Sequence, residues 1–132
     1  MVAADTLQDL ARKHLADARV LQRAQRYDAA IYLGGYAVEL ALKARICYTL
    51  NWLGYPDSNS EFQHYQSFRT HNLEVLLALS GIKTSILANH LASWSHVAQW
   101  TPQMRYNRPV PTRPEDAEQF VRSLDVLLEV IL

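Results

Sequence analysis

A single cysteine, four glycines and five prolines are spread over 132 residues, and thirteen basic side chains are balanced by thirteen acidic ones. Cys47 on its own closes no internal disulfide, so any fold must rest on burial alone. At this length one domain over residues 1–132 is expected, burying roughly two thirds of the surface its unfolded chain exposes. A formal charge of zero removes the simplest electrostatic argument for a nucleic-acid partner. Long apolar runs are also missing. The longest is broken by Glu39, Lys43 and Arg45 before it reaches membrane-spanning length, so no membrane partner is expected. The first residues, MVAADTLQDL, lack a basic stretch followed by an apolar one, which predicts a cytoplasmic protein. No repeat, phosphate-cradling glycine loop, serine elbow or His-Glu-x-x-His spacing occurs, and neither a metal nor a cofactor is expected.

What is present is helical periodicity. A first helix is predicted from Asp5 or Thr6 to Gln25, with Leu7, Leu10, His14, Ala18 and Leu21 on its inner face. A second runs from Tyr27 or Asp28 to Leu53, stopped by Gly54 with Pro56 beyond. The polar and aromatic stretch that follows is long for a connection and is expected to be functional or locally folded. A short helix spans Asn72 to Leu79, stopped by Gly81. A fourth starts at Thr84 or Ser85, carries Leu87, Leu91, Trp94 and Ala98 on one stripe, and ends before Pro102. Pro114 opens the last helix, where Ala117, Phe120, Val121, Leu124, Leu128 and Ile131 recur at helical spacing. Strand alternation is absent. The fold class is therefore all-α, an antiparallel bundle of four main helices with a short additional one.

The second helix poses the main question. Gly34–Ile46 reads as its most buried part, yet Glu39 and Lys43 stand one turn apart in it. At about 100° per residue, Asp28, Tyr32, Gly35, Tyr36, Glu39 and Lys43 share one stripe, and Arg45 faces away. One account is an i,i+4 pair on a partly wet face, contributing a few tenths of a kcal/mol. The other is a groove opened by Gly35, which admits a second backbone or a ligand, and lined by Tyr32, Tyr36, Glu39 and Lys43. An enclosed pair favours the second, because desolvation makes burial of charge for stability alone unfavourable.

Three segments together resemble the HEPN (higher eukaryotes and prokaryotes nucleotide-binding) domain family: YDAAIYLGGYAVELALKARI, HNLEVLL and WTPQMRY. The resemblance covers nearly the whole chain. It implies a homodimer whose symmetric groove faces RNA or nucleotide, and a minimal nucleotidyltransferase partner in a toxin-antitoxin-like module. Active members of the family cut RNA without metal through an Arg-x4-6-His motif, some with a Glu-x3-Lys motif in the second helix. Here Glu39 and Lys43 match the latter, and Arg105 matches the arginine. No histidine follows between Tyr106 and Thr112, so the group expected to move the 2′-hydroxyl proton is missing. The resemblance thus implies a catalytically silent protein. Its ligand-binding residues are Tyr32, Tyr36, Glu39, Lys43, Arg105 and Arg108, the two arginines contacting phosphate. If cleavage persists, it falls to Arg105 with His96, His71 or the Glu39 and Lys43 pair. A plain interaction scaffold, whose polar stripe merely meets water, is the third reading.

Other features have simpler readings. Arg12, Arg19, Arg23 and Arg26 form an outward stripe, but nearby Asp9, Asp17 and Asp28 make it a salt-bridged face rather than a nucleic-acid track. His14 and His90 read as hydrogen-bonded helix residues, and His71 as a brace at the start of the short helix. Trp94, Trp100 and Tyr106 fill core or dimer contacts in one reading and stack on unpaired bases in another. The apolar tail VLLEVIL needs cover from a second copy or from the long loop.

Overall fold

A computed structural model describes residues 1–109 and 111–132. Helix α1 (Ala4–Arg23) buries Leu7, Ala11, Leu15 and Ala18, at steps of four, four and three. The inner face is therefore centred one position from the expected one, and Leu10, His14 and Leu21 flank it half-buried. The helix closes at Gln25, which takes a left-handed φ of 62°. Its amide bonds back to the Gln22 carbonyl at 3.0 Å and that of Arg26 to Leu21 at 2.8 Å, satisfying the last carbonyls.

Helix α2 (Tyr27–Thr49) ends four residues earlier than the position of Gly54 suggests. Asn51, not Gly54, adopts the left-handed conformation, with φ 56°. The Trp52 amide reaches the Cys47 carbonyl at 2.7 Å, so asparagine performs the closing role expected of glycine. Gly54 instead belongs to a two-residue strand, β2 (Gly54–Tyr55), paired antiparallel with β1 (Val2–Ala3). A Cβ on Gly54 would stand 2.6 Å from the Val2 carbonyl oxygen, so the close backbone approach selects glycine here. This small pairing is the one departure, among the described residues, from an all-helical chain.

The long connection is locally folded. It holds α3 (Asn59–Phe62), capped by the Ser58 hydroxyl, and a 3-10 turn at Gln66–Phe68. Trp52, Tyr55, Tyr65 and Phe68 gather edge to face around it, with the Trp52 and Phe68 centroids 5.0 Å apart. Helix α4 (Leu73–Leu79) follows, its first amides held by Asn72 Oδ1, and ends at Gly81 with φ 82°. The expected fourth helix is two: α5 (Lys83–Asn89) and α6 (Leu91–Val97), broken at His90, where φ is −137°. The break turns Ile86, Trp94 and Val97 inward and leaves Leu91 exposed. A 3-10 turn at Pro102–Tyr106 leads to α7 (Pro114–Ile131), with proline in its first turn and Glu115 and Asp116 beside its amino end.

Helices α1, α2 and α7 pack on one another, α6 lies on α7, and α4 lies on α2. The centre is α2, buried around most of its circumference, with Ala30, Gly34, Gly35, Ala37, Ala41 and Ala44 allowing close approach. Every apolar position expected for α7 is buried. In its tail Leu127, Leu128 and Ile131 are buried within the chain while Val130 stays exposed, and Arg45 Nε donates to the Ile131 carbonyl at 2.8 Å. The result is a helical bundle. No helix among the described residues is long and apolar enough to cross a membrane.

Candidate functional site

Glu39 is enclosed, with 4% of its side chain exposed. A carboxylate in that position needs partners for both oxygens, and it has them. Oε2 faces Lys43 Nζ at 3.3 Å, and Oε1 meets His71 Nδ1 at 2.7 Å. Lys43, itself largely buried, also lies 5.2 Å from the centroid of the Tyr55 ring. Burial raises the Tyr55 phenol well above its ordinary pKa, and its hydroxyl donates to the Phe68 carbonyl at 2.6 Å. The stripe thus does not merely meet water at Glu39. The histidine read as a brace completes a hydrogen-bonded cluster, which sequence reasoning missed because it joins α2 to the far end of the long connection.

Gly35 does admit a close neighbour, but the neighbour is Trp100 of the same chain. A Cβ on Gly35 would stand only 2.1 Å from three atoms of the indole ring. Trp100 is buried and donates through Nε1 to the Tyr32 carbonyl at 3.0 Å. The Tyr36 ring meets it edge-on at 4.9 Å and meets the Tyr32 ring at 5.5 Å. Trp94 is buried as well, with Nε1 on Glu74 Oε1 at 3.0 Å, so neither tryptophan is available for base stacking. Tyr106 remains exposed.

The hydroxyls of Tyr32 and Tyr36 are close enough to shift one another. Burial, followed by the Tyr32 hydroxyl and the charge of Glu39, pushes Tyr36 up to about 12. Tyr32 is held below its ordinary value by the Tyr36 hydroxyl first and the Arg105 guanidinium second. Glu39, Tyr36, Tyr32 and Arg105 thus act on one another in turn through charge and neighbouring hydroxyls, and the Arg105 guanidinium lies 4.8 Å from the Tyr106 ring centroid.

Arg105, Arg108 and Tyr32 line a cleft of about 500 Å³ between the start of α2 and the segment leading into α7. Asp28 and Asp116 line it too, but both are engaged. Asp28 accepts from the Thr112 hydroxyl, and Asp116 is gripped through both oxygens by Arg113 at 3.0 and 3.2 Å. Asp28 keeps its charge, since its partner is a neutral hydroxyl, but neither Arg105 nor Arg108 pairs with an acid among the described residues, and Arg105 stands against the Tyr106 and Tyr32 hydroxyls. Val110, in the proline-rich stretch between them and α7, lies outside the described residues.

Six residues were singled out as ligand-binding, and they separate into two groups. Tyr32, Arg105 and Arg108 line the cleft; Tyr36, Glu39 and Lys43 stand behind it as supports. His96 lines an adjoining hollow with Met104 and Asp116, its Nδ1 2.9 Å from Ser123 Oγ. His14 Nδ1, expected to be hydrogen-bonded, finds no partner among the described residues, and its ring packs edge-on against Tyr36. On the arginine stripe Arg19 pairs with Asp125 of α7, while of the acids expected to pair with the stripe Asp17 pairs with Lys13 and Asp28 accepts from Thr112. Among the described residues no three histidine, cysteine, aspartate or glutamate side chains converge as a metal site would. The chain matches no protein-family model, no curated protein and no solved structure.

Proposed function

We propose that the chain is a HEPN-type bundle that binds RNA or nucleotide phosphate without cutting it, acting as a homodimer in the cytoplasm. The observation that carries this reading is the cleft where Arg105, Arg108 and Tyr32 meet while the neighbouring acids are occupied by Thr112 and Arg113. Two guanidinium groups with no acid partner among the described residues, Arg105 resting on the Tyr106 ring, suit phosphate oxygens. No histidine lines the cleft among the described residues, so it lacks a group to move a proton near neutral pH.

Single-stranded RNA binding followed by fluorescence anisotropy at two or more salt concentrations tests this. The expected result is affinity that falls with salt, and a slope reduced by about 0.7 for each of Arg105→Ala and Arg108→Ala. Salt-insensitive binding, or none, overturns the RNA reading and leaves a nucleotidyltransferase-type partner in a toxin-antitoxin-like module as the occupant. A metal-independent ribonuclease is the second reading, favoured by the hollow that carries His96 beside the cleft. RNA incubated with the protein in chelator should stay intact. Cleavage lost in Arg105→Ala or His96→Ala would establish the enzyme instead.

A further inference from the structure

A second hollow, of about 430 Å³, lies between His71–Glu74 and Ala98–Gln103. Its character differs from that of the arginine cleft. His71, Asn72, Gln99 and Gln103 supply uncharged polar groups, and the buried Leu73 and Pro102 supply an apolar floor. Glu74 is its one carboxylate among the described lining residues, and Oε1 of that group already accepts from Trp94.

The polar groups of this hollow are set by contacts behind it. A carboxylate only accepts hydrogen bonds, so the 2.7 Å contact with Glu39 makes His71 Nδ1 the donor. In the neutral ring Nε2 is then left with a lone pair. The imidazole is 62% exposed while Glu39 is 4% exposed, so a ligand has access to the ring and not to its anchor. Asn72 Oδ1 is committed to the amides of Glu74 and Val75 at 2.9 and 3.3 Å, which leaves its Nδ2 as a donor. An acceptor and a donor therefore stand on consecutive residues above an apolar floor.

We propose that this hollow is a second binding site, taking the edge of a neutral flat heterocycle that pairs a donor with an acceptor, a nucleobase, with His71 Nε2 as the acceptor. Amide side chains with complementary donors and acceptors read base edges in the same way, and the apolar floor receives the ring face. The site rests on His71 and its surroundings and not on Arg105 or Arg108, so it and the phosphate reading fail separately.

Long-range imidazole nitrogen–proton spectra of the full labelled chain test the proposal with adenosine and cytidine, which carry no phosphate. His71 should appear as the Nδ1–H tautomer, and Glu39→Ala, which removes the acceptor, should abolish that preference. Either nucleoside should move the Nε2 resonance saturably, and Gln99→Ala with Gln103→Ala, both at exposed positions, should weaken binding about fivefold to tenfold. An Nε2–H tautomer in the unaltered chain overturns the proposal. So does the absence of any shift with both nucleosides, or a shift produced by inorganic phosphate and by neither nucleoside.

Discussion

Replacing Gly35 with alanine adds one methyl group, and the structure assigns that methyl to space already filled by the Trp100 indole. On helix propensity alone the change is favourable by about 1 kcal/mol. Against this stands the displacement of a buried, rigid ring. The overlap falls on several ring atoms at once, so the indole must translate and cannot simply rotate aside. Overpacking of that kind costs about 1–3 kcal/mol. The Nε1 hydrogen bond to the Tyr32 carbonyl and the edge contact with Tyr36 are lost with it, at about 1 kcal/mol each. The net expectation for Gly35→Ala is destabilisation of about 2–4 kcal/mol, or a fall in Tm of about 10 °C. Gly34→Ala is the control, because the new Cβ meets the terminal Cδ1 of Leu124 at 2.5 Å, the end of a flexible side chain. It should cost under about 1.5 kcal/mol. Urea unfolding with an unchanged m-value, followed by tryptophan fluorescence, measures both. A Gly35→Ala variant as stable as the parent, with unaltered fluorescence, would refute the seating of Trp100 against α2 and the cleft geometry that depends on it.

Two more predictions follow from the same stripe. Glu39→Ala strands a largely buried Lys43 and releases His71, and should destabilise by about 2–3 kcal/mol in urea unfolding; a change under about 0.5 kcal/mol would mean that the cluster is solvated. In a spectrophotometric phenol titration Tyr32 should ionise early and Tyr36 and Tyr55 last, with Tyr36→Phe deleting one late step. Because Tyr36 holds its proton more tightly when folded, its contribution to stability is complete below pH about 10 and is lost as pH rises through about 12. An ordinary, early titration of Tyr36 would contradict its burial.

Local rules made part of this legible. The α7 stripe was readable in full because proline at its first turn fixes the phase and the apolar residues keep helical spacing to the end. The stop at Gln25 was readable for the same reason, polar residues interrupting the pattern where the chain turns. The end of α2 was misread because Asn51 and Gly54 both suit a left-handed closure. Only the pairing of Gly54 with Ala3, 51 positions away in the chain, decides between them. The kink at His90 escaped for a related reason, since no proline or glycine marks it. The site was legible as a set of residue types and not as an arrangement. Glu39, Lys43, Tyr32 and Tyr36 declare a shared face by spacing alone, but their partners His71, Tyr55 and Trp100 arrive through tertiary contacts that no periodicity encodes.

Those partners change what the polar stripe can do. Three positions of that stripe that the sequence offers to a second subunit or a ligand are claimed from within the chain: Gly35 by Trp100, Glu39 by His71, Lys43 by Tyr55. The charged pair is therefore a support and not a contact surface. It pins the long connection to α2 at one end, while Trp100 pins the 3-10 turn at the other, and the turn in turn carries Arg105. In the proposed dimer the surface left for a partner is that of Tyr32, Arg105, Tyr106 and Arg108, together with the exposed His71 ring. Affinity for a charged ligand should consequently follow substitutions at the two arginines directly. Substitutions at Glu39 should act on it only through stability and the orientation of His71, a separation that paired binding and unfolding measurements on the same variants resolve.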